Sequence, residues 1–513
     1  MTRPNLDTLG PDTLGPDTLG PDTPRLRGGP SSAAERILAG CPGLRTHPRG
    51  ASIAVIAGAA LDAVDPRARI ANHTHALAKP KGHAAVIGEF VFDLADDPDA
   101  PGTAEHGRVW VFGAGKASVA MAAALVERFP EHIVGGLIIA KHRPSPELAT
   151  ALGPVGVTLG DHPTPGTQSE AAHKLLVRAA TEVGPRDLVL CPISGGASAL
   201  LSAPSNLSGA DWALLIDHLL ARDVSIQAIN RLRRRLDALK AGGLARLFAP
   251  ATVVGLIISD VIGDDLALVG SGPTVYADTH DGDECHAALL AELSPSLAGL
   301  PPHIIATLRS APMPASVPIN PGTGLPQGVH QVLVARNGDA REAACKRARV
   351  EGLDSVVLLP ALGGPAADEG RRLAALLHDP PADLPVNAPF CLVMGGETTV
   401  TLPDQPGRGG RNLTLALAAM PGLAATVDTL DPTRGAGELA LLTLASDGED
   451  GPTDAAGALV TPTSMARAHA QGLDPERALA HCDSYPLFAA LGDLVKTGPT
   501  GTNVCDLAFL FRW

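Results

Sequence analysis

The 513-residue chain is poor in aromatic residues, which make up only 3% of it: nine Phe, three Trp and two Tyr. A core short of large rings must be filled with Ala, Val and Leu, and the 56 Gly and 46 Pro imply many tight turns. Cysteines are few and isolated. The seven, at positions 41, 191, 285, 345, 391, 482 and 505, include no C-x-x-C pair and are odd in number. This argues against a disulfide framework or a structural zinc site and points to a reducing compartment. Positive charge is also scarce, with 40 Lys and Arg against 54 Asp and Glu for a net charge of −14. A nucleic-acid partner is therefore not expected. The one basic run, RLRRR at 231–235, reads as the exposed face of a helix. No apolar run is long enough to span a bilayer, and no basic segment leads into an apolar one at the start. A soluble, cytoplasmic protein without a membrane partner is expected.

A chain of this length calls for two or three domains. Residues 6–23 repeat LGPDT-like units of five, and a Gly-Pro in each unit forbids helix. Residues 1–28 are taken as a disordered low-complexity tail. Residues 29–310 form the expected first domain. Residues 311–329, with five prolines and three glycines, read as a linker. Residues 330–513 form the second domain, restarting with a strand at 330–335.

The stretch 252–278 organises the first domain. The apolar run VVGLII at 253–258 has no polar alternation, so it reads as a strand buried on both faces. It stops at Ser259-Asp260. In an open parallel sheet, ligands bind beyond the carboxyl ends of the strands. An acid there, with glycines following, suits a Mg²⁺–phosphate site. Two earlier strands end alike. The strand at 107–113 runs into GAGKAS (113–118) with Lys116 at its tip, and a helix follows. The third glycine of a dinucleotide fingerprint is replaced by Ser118, and the spacing is not that of a Walker A loop. The strand at 187–193 ends in SGGAS (194–198), a bare-backbone nest for an anion. A long helix is expected over 211–248. In the second part, Gly395-Gly396-Glu397 ends a strand, GRGGRN (407–412) opens a helix with Arg411, and acids at 447, 450 and 454 follow another strand.

Nine stretches, in order from about residue 50 to the C-terminus, carry a resemblance: GAGKAS, DHPTPG (161–166), SGGASALLSAP (194–204), IN…LKAGG (229–243), ISDVIGDD…GSGPTVYAD (258–278), GGETTV (395–400), GRGGRN, SDGEDGPTDAAGA (446–458) and GDLVKTGPTGTN (492–503). The chain resembles the glycerate 2-kinase family, whose C-terminal part is known as the MOFRL domain. The resemblance implies an α/β fold of two domains, a Rossmann-like N-terminal domain and a smaller MOFRL domain, with the active site in the cleft between them. It implies phosphorylation of the 2-hydroxyl of D-glycerate with ATP and Mg²⁺ as cofactors. Lys116, Asp260 and Arg411 become the expected catalytic residues, with Asp260 either binding the metal or taking the hydroxyl proton. Gly115, Ser194, Gly195, Gly196, Ser198, Asn230, Lys240, Glu397, Asn412, Asp447, Asp450, Asp454, Thr500 and Asn503 are the expected substrate- and phosphate-binding set. The sequence departs from the family pattern at Ile262, Thr414 and Cys505. Two other functions stay open: an NAD(P)H-dependent hydroxypyruvate reductase, and a non-catalytic module binding small phosphorylated acids. The sequence also leaves the oligomeric state open, a homodimer among the options.

Overall fold

The computed structural model of the chain describes residues 32–79, 83–95, 106–222, 224–276, 283–310, 328–378, 388–425 and 439–513, with Pro380 and Val386. The repeat tail and most of the expected linker lie outside the described residues. A small antiparallel sheet comes first, made of β1 (Thr74–Ala78), β2 (His83–Ile87) and β3 (Phe90–Leu94). The main sheet follows: β4 (Val109–Ala114), β5 (Ile133–Ala140), β6 (Gly156–Leu159), β7 (Leu188–Ile193), β8 (Thr252–Ile258) and β9 (Val329–Ala335). All its pairings are parallel and the order is β6-β5-β4-β7-β8-β9. Counted from its own first strand this is 3-2-1-4-5-6, the doubly wound order, with its switch point between β4 and β7. Both faces are covered, as a parallel sheet requires. Along β4, Val109 and Val111 pack into one apolar cluster, while Trp110, Phe112 and Ala114 pack into another.

A second sheet has the order β10-β11-β15-β12-β13-β14, from β10 (Asp354–Val357), β11 (Phe390–Gly396), β12 (Leu439–Ala445), β13 (Gly457–Val460), β14 (Leu494–Val495) and β15 (Asp506–Arg512). Only β10 and β11 run parallel; the other pairs are antiparallel. A fourth apolar cluster joins the helices Gly209–Leu220, Ile226–Leu236, Asp283–Leu293 and Pro302–Ser310 into a helical lobe.

Three expectations need correction. The strand near 330, expected to open the second domain, is β9, which pairs with β8 along Val253↔Val329 to Ile258↔Ala335 and completes the first sheet. The first helices do not belong to the first sheet's side. Gly50–Asp62 packs on the helix Asn337–Val350, Ala33–Gly40 packs on Gly50–Asp62 and reaches β14, and Gly43 N donates to Gly492 O at 2.8 Å. The chain therefore crosses between the two halves twice, near Val64 and near Arg336. The segment 211–248 is broken rather than one helix. Its pieces end at Leu220 and Leu236, and Gly242, at φ +78, starts Gly243–Phe248 from a left-handed conformation that favours glycine.

Candidate active site

Register sets the floor of the site. Ala114 pairs with Ile193 and Ile193 with Ile257, so the loops after β4, β7 and β8 leave the sheet at one level beside the switch point. The first two loops are knitted together. Lys116 N donates to Gly195 O at 2.9 Å, and the Ser194 hydroxyl accepts from Ala117 N at 2.9 Å. Ser194 is thus a buried bridge between loops. Gly115 sits at φ +135, where a Cβ would strike Ser194. Gly196 takes φ +85 to start the short helix Ala197–Leu200. A Cβ on Gly195 would run into the Asp260 carboxylate and the Asn503 carboxamide. Glycine is therefore needed where three chain segments converge.

The second half faces this floor with paired charge. Lys116 Nζ meets Asp447 at 2.5 Å, and Lys141, just past β5, meets Glu449 at 2.6 Å. Asn503 Nδ2 donates to Asp260 at 3.3 Å, and the Cys505 thiol donates to the Asp260 carbonyl at 2.7 Å. Thr500 shapes the Asp447 turn, donating from N to Asp447 O at 3.1 Å and from its hydroxyl to Ser446 O at 2.5 Å. Burial, then the charge of Glu397, pushes the Asp260 carboxyl up to about 6, against the pull of Lys116 and Arg411. His162 also belongs here. Its ring lies beside Gly196, and burial, then Lys116 and Lys141, push its pKa down to about 4, so it is neutral at pH 7. Its partner in sequence, Asp161, instead accepts Ser169 N at 2.9 Å and caps the helix behind.

Several expected ligand residues serve the fold. Lys240 is fully buried and holds the carbonyls of Ala197 and Leu201, staking the short helix after the nest. Burial lowers its pKa to about 8. Asp450 accepts Asn412 N at 3.0 Å and Leu413 N at 2.8 Å, capping the helix Arg411–Ala425. Asn412 is buried against it. Asp454 bonds Tyr485 at 2.6 Å and Lys496 at 3.0 Å in a separate surface cluster under Arg408. Arg411 keeps its place but has no free edge: Nε and Nη2 bond Asp506 at 2.5 and 3.4 Å, and Nη1 bonds Glu397. Burial works against its charge, and Asp506 and Glu397 more than offset that. Ser198 contacts the Ser271 hydroxyl at 3.0 Å, which in turn reaches Asn230 at 3.4 Å.

Sequence reading passed over Lys141, His162, Glu449, Asp506 and Ser271. DHPTPG and GSGPT did mark two of these, but nothing in their spacing separated a site residue from a turn residue. Of the three departures from the family pattern, Cys505 touches Asp260, and it sits at φ +67, a region where Asn is better tolerated.

A magnesium ion fits the donor set on one observation: the Asp260 carboxylate, raised by burial and by the charge of Glu397, lies against the Gly195 backbone at the strand end. Among the described residues no group of three acid, His or Cys side chains forms a metal cage. One or two carboxylates plus phosphate oxygens are what magnesium ordinarily takes.

Comparison with known proteins gives a family. The model of a domain of unknown function, DUF4147, matches residues 52–309, and the MOFRL family matches residues 390–506. A glycerate 2-kinase from Pyrococcus horikoshii is 34% identical over 78% of this chain and 86% of its own length. The chain belongs to the glycerate 2-kinase family. A glycerate kinase structure from Thermotoga maritima superposes with a TM-score of 0.68 at 26% identity, covering 89% of this chain and 98% of that one. This two-domain α/β architecture is therefore that of a glycerate 2-kinase family member. One relative carries another name: a protein of Agrobacterium vitis, 37% identical over 78% of this chain and 98% of its own, is named as a hydroxypyruvate reductase. Among the described residues no helix is long and apolar enough to cross a membrane.

Proposed function

We propose that the protein transfers the γ-phosphoryl group of ATP to the 2-hydroxyl of D-glycerate, giving 2-phosphoglycerate and ADP. The observation that carries this reading is the set of three level strand ends, with Lys116, the Gly195–Gly196 nest and Asp260 facing Asp447 and Asn503. Phosphoryl transfer asks a protein mainly for positioning and charge neutralisation. Lys116 gives up Asp447 to meet the transferring phosphoryl group. The N–H groups of the nest take phosphate oxygens. Asp260, with Glu397 near it, would hold Mg²⁺, which when bound supplies charge neutralisation between the phosphates. Asn503 orients the Asp260 carboxylate. Arg411 fixes Asp506 and Glu397 at the far wall. A loose transition state makes little demand on a base. Isolated cysteines fit a cytoplasmic enzyme.

Hydroxypyruvate reduction is the second reading, because a relative carries that name. Two features weigh against it. The adenosine ribose of NADH is usually gripped by an acid at the end of the second strand, where this chain has Lys141, and that lysine is taken by Glu449 at 2.6 Å rather than left for the 2′-phosphate of NADPH. The third glycine position is Ser118, fully buried. The test sets the two reactions side by side on one preparation. ADP should form only when D-glycerate and Mg²⁺ are both present, and NADH or NADPH should stay unoxidised with hydroxypyruvate. The opposite pattern rejects the kinase reading.

A further inference from the structure

The basic run at 231–235 is not an exposed helix face. It lies on the helix Ile226–Leu236, whose Ile229, Leu232 and Leu236 are buried in the helical lobe. Arg231 leaves that helix to pair with Glu292 at the surface. Asn230, Arg233 and Arg234, spaced i, i+3 and i+4, share another face. Arg233 is only 7% exposed. Its Nη1 donates to Asn230 Oδ1 at 3.3 Å, its Nε has no partner, and it makes no ion pair among the described residues. Arg234 also has a buried, unpartnered Nε, with neither hydrogen bond nor ion pair among the described residues. Asp237, whose charge acts on Arg233, is taken up by Ser202 at 2.6 Å and Leu239 N at 3.0 Å. Asp237 lends its charge from a distance only, and a buried guanidinium with no carboxylate in contact leaves part of the cation's desolvation uncompensated.

Position connects this cation to the site. Asn230 Oδ1 also accepts from Ser271 at 3.4 Å, and Ser271 touches Ser198 at 3.0 Å. Ser198 lies two residues past Gly196, whose Cβ position would be 3.5 Å from Lys116 Cγ. A polar path thus leads from the buried guanidinium to the phosphate nest. Arg411, an expected catalytic residue, has all its nitrogens engaged already.

We propose that Arg233, with Arg234 beside it, grips the carboxylate of the acceptor acid. The guanidinium fork matches a carboxylate edge, and a bound acid would supply the contacting carboxylate that Arg233 lacks among the described residues. This rests on the glycerate-kinase reading and names the residues that make the acceptor an acid.

Steady-state kinetics of the full chain test it, with ATP and either D-glycerate or its uncharged methyl ester as acceptor. In Arg233→Met, the KM for D-glycerate should rise about 100-fold while that for ATP moves less than about 3-fold. The preference for glycerate over the ester should shrink by a similar factor, which lost packing alone would not cause. Arg233→Lys, keeping charge without the fork, should fall between. Should Arg233→Met not fold, Arg234→Met carries the same measurements, with an expected rise of about 10-fold. An unchanged KM for glycerate or an unchanged ester preference overturns the proposal. A rise confined to ATP also overturns it, by assigning the arginines to nucleotide phosphate. Wild-type protein that phosphorylates nothing in the presence of glycerate defeats the kinase reading before any variant is made, and the inference falls with it.

Discussion

The two sheets face each other across the site but offer it different things. The first is wholly parallel, and its strand ends present bare backbone at Gly115, Gly195 and Gly196, with Lys116 and Asp260 projecting from them. The second is mostly antiparallel, and its charged residues are largely bound to one another: Arg411 to Asp506 and Glu397, Asp450 to a helix start, Asp454 to Tyr485 and Lys496. The difference separates residues whose ion pair only crosses the cleft, as Lys116 to Asp447, from residues paired within one half that hold a wall in place. A buried charge without an internal partner is a candidate for binding. One with saturated partners is a candidate for architecture.

Substitutions on the two sides should therefore fail differently. Lys116→Ala removes the group proposed to meet the transferring phosphoryl, and kcat should drop by about 10³-fold or more, with a smaller loss of stability than in Arg411→Ala because Asp447 stays more exposed than Asp506. Arg411→Ala strands the buried Asp506 carboxylate, so denaturant unfolding should show a loss of about 3–5 kcal/mol alongside lost activity. If Lys116→Ala proved the unstable variant and Arg411→Ala the stable one, the contrast would be reversed.

Proton linkage sharpens the same contrast. Asp260 titrates near 6, so activity should fall as pH drops through about 6. If Asp260 holds magnesium, protons and metal compete for it, and the midpoint of that acid limb should move to lower pH as Mg²⁺ is raised. A midpoint indifferent to Mg²⁺ removes Asp260 from the metal. Asp450 acts on stability instead. Burial, then Asp506, push its carboxyl up to about 7, so the folded chain holds this proton more tightly than the unfolded chain does. That contribution is complete below the ordinary carboxylate pKa and is lost as pH rises toward 7. Asp493, raised to about 6, acts with the same sign at lower pH. The melting temperature should therefore still decline between pH 6 and 7, and Asp450→Asn should flatten that interval.

Much of the first sheet was legible in sequence. Continuous branched runs such as 253–258 can satisfy only a strand buried on both faces, and Gly-rich ends after three of them marked the site. What a strand pairs with is not written in its own pattern, so β9 was given to the wrong half. The packing of the first helices on the second half is equally invisible locally. Side-chain roles divided along the same line. Lys116 and Asp260 were singled out because they stand at strand ends, and the fold does bring those ends together. Lys240, Asp450 and Asn412 looked equivalent, because whether a polar group meets a ligand or a neighbouring carbonyl is decided by tertiary contacts. RLRRR misled for the same reason: its composition says surface, and the lobe around it buries Arg233.

The central claim is that these loop tips carry phosphate to the 2-hydroxyl of glycerate. The most direct measurement follows the full chain with ATP, Mg²⁺ and D-glycerate by phosphorus NMR, with the product then offered to enolase alone. The account predicts that the γ-phosphate of ATP is lost as a phosphomonoester appears, which enolase consumes without help. An unchanged ATP spectrum, or a phosphomonoester that enolase consumes only after phosphoglycerate mutase is added, would contradict it.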